Sequence, residues 1–234
     1  MIAAVGLVAS SGLQSVAGSQ KTYKWTADPV TDEAYFSVNL ARNGKLPVHI
    51  NEVKADAQLV DSLKTKKDLF YSDFTGQGEA DYRQLLQTSL EKGLKVFEKK
   101  EYPKTAEEWQ QTWENADFAN LAYLLNSNST TVGCIIGKCT GEETGTPGAA
   151  GPAGRDADTT VEMAVLICNL HPAATKDKAP FDEEYFTGLI ARTAKLTGMT
   201  ADDLKAPTND GTAAAAIPTI MLAGLLATLA AVAA

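Results

Sequence analysis

The chain has 234 residues, with 21 lysines and arginines against 29 aspartates and glutamates, a formal net charge of −8, and 44% hydrophobic residues. That charge repels phosphate backbones and excludes nucleic acid as a partner, while the apolar fraction is too high for a chain disordered throughout. The lysines form no basic stripe: Lys64, Lys66 and Lys67 cluster, and the run 91–101 mixes both signs as solvated helix faces do.

Residues 1–20 hold no ionisable side chain. Within them, residues 2–10 are an apolar stretch of signal-sequence length, too short to span a bilayer, and Ser15-Val16-Ala17 offers the small side chains that a signal peptidase reads. A removable signal peptide is therefore expected over 1–17, followed by an ectodomain over 18–210.

The first helix is expected over 31–43, with Tyr35, Val38 and Ala41 on one side, Asp32 and Glu33 in the first turn and Gly44 as a stop. A second is expected over 56–70 with Leu59, Leu63 and Phe70 on one face, and Gly76 and Gly78 mark 72–78 as a loop. The strongest helical period lies in 80–99, where Tyr82, Leu86, Leu90, Leu94 and Phe97 recur every three or four residues and must be buried. After Pro103, Thr105 is an N-cap ahead of Glu107 and Glu108, and Trp109, Trp113 and Ala116 begin a helix running towards Leu125, with the tryptophans in the core. Residues 126–130 break it. Asn128-Ser129-Thr130 is an N-glycosylation sequon, which has chemical meaning only in an exported chain.

Residues 130–136 and 160–169 are rich in β-branched and aliphatic side chains and are expected as strands. Between them, 141–158 is loaded with Gly, Pro, Ala and Thr and is expected as a long mobile hairpin connection. A helix is expected over 181–197, and Thr200-Ala201-Asp202-Asp203 opens a last short turn in the manner of a capping box. Helices followed by such a sheet give an α+β or three-layer α-β-α domain.

The last charged residue is Asp210, and 211–234 contains only Gly, Ala, Thr, Pro and aliphatic or Met side chains. With no basic residue behind it and small residues at Asn209, Asp210 and Gly211, this tail is expected to be a glycolipid (GPI) anchor signal, those three residues being the attachment candidates.

Cys134 and Cys168 fall in the two expected strands, where a bridge between paired strands can meet the required Cα separation of about 5.5 Å. Cys139 could compete for Cys168. Only His49 and His171 could join the cysteines at a metal, and neither shows ligand spacing, so no metal or cofactor is expected. The same two histidines are the choices for a general base, and both are expected as ordinary hydrogen-bonding residues. The acidic run Asp182-Glu183-Glu184 suits the positive end of a helix dipole without any acid–base role. No catalytic residue is expected.

Three stretches carry a family resemblance: Asn39-Leu40-Ala41-Arg42 with Gly44 and Pro47; Trp113, Phe118 and Leu121 leading to Thr131-Val132-Gly133-Cys134; and Val165-Leu166-Ile167-Cys168-Asn169-Leu170-His171-Pro172-Ala173. Pro180 to Phe186 and Ile190 to Ala194 extend it. Together they resemble the glycolipid-anchored surface antigens of Eimeria, coccidian parasites of the apicomplexan group, which are similar to the CAP (cysteine-rich secretory, antigen 5, pathogenesis-related) domain. The resemblance implies an α+β, CAP-like three-layer α-β-α sandwich with a small antiparallel sheet, a Cys134–Cys168 bridge, and Cys139 left unpaired. It also implies a non-enzymatic antigen on the outer face of the plasma membrane, whose partners are a host-cell surface ligand and host antibodies. The alternative it offers is an extracellular lipid or sterol carrier. Typical CAP domains place two histidines and two acids in a central cleft; here Val38 and Asp117 stand at the histidine positions, so that cleft chemistry is expected to be absent.

Overall fold

The computed structural model describes residues 20–63, 69–74, 79–144 and 160–206. The stretch 1–17, the tail 211–234, the attachment candidates Asn209, Asp210 and Gly211, and most of 141–158 lie outside them.

Two long antiparallel strands, β4 (Thr131–Thr144) and β5 (Thr160–His171), form the centre of the sheet. The order is β1-β4-β5-β3, with β1 (Gln20–Pro29) antiparallel to β4 and β3 (Phe70–Phe74) antiparallel to β5. The two-residue strand β2 (Lys54–Ala55) runs parallel to the first residues of β4. Side chains alternate across a strand, and one face of this sheet is enclosed. Val132, Cys134, Ile136, Ala164, Leu166, Cys168, Leu170 and Phe70 are all buried on one face. Against that face pack α1 (Asp32–Asn43), α3 (Tyr82–Gly93) and α5 (Ala116–Leu125).

On the opposite face, among the described residues, lies the short helix α2 (Ala57–Ser62). It sits so close to β4 that a Cβ on Gly133 would lie 2.8 Å from that of Leu59, which is why glycine stands there. The domain is thus mixed α and β, with a small mostly antiparallel sheet and its helices concentrated on one side.

Helix starts follow the local chemistry. Asp81, Asn115 and Asp182 each accept a backbone N–H in the first turn of α3, α5 and α6 (Glu183–Ala191). Thr105 and Glu108 form a reciprocal capping box on α4 (Ala106–Trp113), and Thr200 with Asp203 forms another on the 3₁₀ turn Ala201–Leu204. Next to the sheet core, Phe97, Trp109, Phe118, Phe181 and Phe186 interlock, largely edge to face, and tie α4, α5 and α6 together.

Several expectations change. The helix expected over 56–70 ends at Ser62, and Phe70 opens β3 opposite Cys168. Residues 70–74 alternate buried and exposed, so strand pairing overrides the helical spacing of Leu59, Leu63 and Phe70; 72–74 of the expected loop belong to this strand, and its remainder lies outside the described residues. The 105–125 helix is two, because Asn115 caps a new one at Ala116. The 80–99 helix gives way to a 3₁₀ turn at Leu94–Phe97, and the 181–197 helix stops at Ala191, with Leu196–Gly198 forming a separate 3₁₀ turn. Strand β1 has no counterpart among the expected elements, and both central strands run longer than their apolar parts.

Candidate functional site

One face of α1 holds the chain that feeds the sheet. The Asn39 side chain donates to the Val53 carbonyl and accepts from its N–H, both at 2.9 Å. One turn on, Asn43 does the same with Ile50 at 3.0 and 2.9 Å. These amides imitate strand pairing and fix residues 50–53 ahead of β2.

Between them Arg42 is fully buried, and its guanidinium donates only to carbonyls: Leu124 at 2.5 Å, Asn51 at 2.8 Å, Asn126 at 3.0 Å and Ser129 at 3.4 Å. The C-terminal end of α5 is the negative end of a helix dipole, which suits an internal cation. Burial lowers the Arg42 guanidinium to about 10, partly opposed by Tyr185. Tyr185, also fully buried, donates to the Arg42 carbonyl at 2.6 Å, and burial pushes its phenol up to about 12. Near neutral pH the arginine therefore stays charged and the tyrosine neutral. Arg192 donates to the carbonyls of Leu40, Ala41 and Gly44 at 3.1–3.3 Å and closes the end of α1, its own guanidinium lowered by burial.

This cluster fixes the turn before β4. Ser127 N–H donates to Pro180, Ser129 Oγ and Asn126 Nδ2 both donate to the Pro172 carbonyl, and Thr130 N–H donates to His171. Ser129 is buried while Asn128 and Thr130 on either side are exposed. The end of the described chain lies nearby, since Lys45 N–H donates to the Asp203 carbonyl just beyond α1. From this base the 14 residues of β4 run away for roughly 40 Å at ~3.3 Å each.

Cys134 and Cys168 stand directly opposite in the register, on the buried face, and are joined by a disulfide with Cα atoms 4.1 Å apart. Cys139 is a free, half-buried thiol on the other face, between Trp25 and Met163 in the register. That face exposes large apolar side chains: Tyr23 62%, Trp25 52%, Tyr71 50% and Met163 49%.

The histidines are placed apart from such groups. His49 lies half-buried between α1 and β2 with its Nε2 enclosed and without a hydrogen-bond partner among the described residues, and His171 is exposed at the end of β5. Among the described residues neither imidazole bonds a hydroxyl or thiol, and no cluster of three or more His, Cys, Asp or Glu could hold a metal. Val38 is fully buried in the aliphatic core and Asp117 is exposed at the start of α5. In the acidic run, Asp182 caps α6 and Glu183 pairs with Lys104 at 2.9 Å. Trp109 and Trp113 are core residues, the latter donating to the Lys178 carbonyl. Clefts open on the helical side, among them one of about 890 Å³ lined by Phe97, Tyr102 and a mixture of lysines and glutamates and another of about 320 Å³ between α3 and α6. Among the described residues no helix is long and apolar enough to cross a membrane.

No sequence signal pointed to the tasks of Arg42, Tyr185 or Arg192, most of whose partners lie far along the chain. The aromatic residues of β1 carried a signal, since Tyr23 and Trp25 alternate with Lys24 and Thr26.

Residues 50–201 match the model of a surface antigen family, the sporozoite surface antigen (SAG) protein domain. No curated protein sequence matches the chain. Among solved structures, the chain is similar to the Eimeria tenella surface antigen protein SAG19, at 17% identity over 70% of this chain and 96% of that one, with a TM-score of 0.44. It is also similar to the hookworm platelet inhibitor, at 12% identity over 67% of this chain and 79% of that one, with a TM-score of 0.39.

Proposed function

This chain belongs to the sporozoite surface antigen (SAG) protein domain family, and we propose from that premise a non-enzymatic antigen held on the outer face of the plasma membrane by a glycolipid. It takes part in attachment to host cells or in the encounter with host immunity. The family match over residues 50–201 carries the reading. The uncharged tail 211–234, the small residues Asn209, Asp210 and Gly211, and the signal-like stretch 1–17 support anchoring and export. The arrangement of helices on one face of the sheet and α2 on the other supports a CAP-like α-β-α sandwich.

The geometry supports one orientation of the antigen. The described chain ends beside the C-terminal end of α1, so an anchor a few residues further on holds that end near the membrane. Thr144 and Thr160, where β4 and β5 meet the 141–158 connection, then point towards the host.

Phospholipase C treatment of intact cells should release the protein, and mass spectrometry of the released form should place its C-terminus at Asn209, Asp210 or Gly211. Retention on the membrane after treatment defeats the glycolipid anchor. Antibodies against a peptide covering 141–158 should label intact cells, and absence of labelling defeats the orientation. Soluble ectodomain 18–210 should bind host epithelial cells saturably; a flat response removes attachment and leaves the immune role.

A further inference from the structure

We propose that Asn128 carries an N-linked glycan, on the turn before β4, at the end of the fold where Arg42 and the Lys45–Asp203 contact lie. The inference rests on the exported reading given above, because the transfer takes place in the secretory lumen.

Asn128-Ser129-Thr130 is the sequence's single Asn-x-Ser/Thr triplet, and the fold presents it as a modified site requires. Residues 128 to 130 alternate out, in, out, so the acceptor amide and the Thr130 side chain both reach solvent while Ser129 points inward. Ser129 is fully buried and bonded to Pro172, so the middle residue acts as a peg for the turn. The backbone on both sides is committed inward as well, through Ser127 to Pro180, Thr130 to His171, and Arg42 to the carbonyls of Asn126 and Ser129.

Other asparagines of the domain contrast with it. Asn39, Asn43, Asn115, Asn120, Asn126 and Asn169 all engage their amides with backbone or side-chain partners. Asn128 makes no side-chain hydrogen bond among the described residues, so a sugar on its Nδ2 displaces no interaction of the fold. The co-substrate is a lipid-pyrophosphate-linked oligosaccharide. A bond forms between Asn128 Nδ2 and the anomeric carbon, the anomeric carbon–oxygen bond to the pyrophosphate breaks, the amide nitrogen gives up one proton, and the lipid pyrophosphate leaves. No oxidation state changes. With an anchor close by, the glycan covers the membrane-proximal end and leaves the far end of the β4–β5 hairpin uncovered.

The test uses the full chain passed through a eukaryotic secretory pathway and recovered from the cell surface by labelling of intact cells. Peptide N-glycosidase should increase its gel mobility and, in isotope-labelled water, tag position 128 as a newly formed aspartate. Asn128→Gln and Thr130→Ala should lack the shift, whereas Thr130→Ser should retain it. Because the Asn128 side chain makes no hydrogen bond among the described residues, N128Q should form the Cys134–Cys168 disulfide and unfold at the wild-type temperature, which separates loss of the glycan from loss of the fold. Surface-labelled protein with an unmodified Asn128 peptide, or a shift that survives N128Q, overturns the glycan and leaves the surface reading intact. Protein found only in the cytosol overturns both.

Discussion

The two faces of the sheet come from the same strands and are built to opposite ends. Inward residues such as Leu166, Cys168 and Phe70 are wholly enclosed, whereas outward residues such as Trp25, Tyr71 and Met163 stay about half exposed. On the outer face α2 closes over Gly133 and the Trp25 ring lies over Gly137, and Ile135 and Val165 are 8% exposed. Stability is therefore expected to come mainly from the inner face and the helices behind it, while the exposed outer residues Tyr23, Trp25, Tyr71 and Met163 can vary at little cost to the fold.

Substitutions ranked by expected effect sharpen that comparison. The largest loss is expected behind the inner face at Arg42→Met, which leaves several buried carbonyls without a donor and should cost about 3–5 kcal/mol in denaturant unfolding. A stable R42M would show that water enters the base. Leu166→Ala, at 0% exposure, should cost about 2–5 kcal/mol with a matching fall in Tm. Replacing Cys134 and Cys168 together by alanine opens a link between residues 34 apart and should cost about 2–4 kcal/mol.

Smaller effects belong to the outer face. Gly137→Ala puts a Cβ 2.1 Å from the Trp25 ring, which must swing outward, and about 1 kcal/mol is expected. Adding Trp25→Ala should remove most of that penalty; a penalty that persists places the conflict in the backbone. Cys139→Ser should change stability by no more than about 0.5 kcal/mol. If C139S costs as much as L166A, the outer face is core and the comparison fails.

The stretches that carry the family resemblance turn out to hold the fold together. Asn39 and Arg42 fix the feed into β2 and the turn before β4, Arg192 closes α1, and Pro172 receives Asn126 and Ser129. These contacts join separate segments of the chain, so the motifs mark an architecture.

The sequence by itself determined the elements whose signal is local. The helical periods of α1 and α3, the caps at Thr105 and Thr200, and the apolar halves of β4 and β5 depend on near neighbours, and the structure shows them. Only the tertiary structure decided β3, because Phe70 fits a helical spacing until it pairs with β5, and β1, whose short alternation gains a partner only when β4 extends past Ile136. That extension also decided the cysteines. Its polar residues hide the strand from a hydrophobicity reading, yet once Cys139 lies in the same strand as Cys134, five residues on, it must face the opposite side of the sheet. Arg42 was undecidable from sequence for a related reason: a buried cation needs carbonyls gathered from several segments, and only the folded chain brings residues 51, 124, 126 and 129 around one guanidinium.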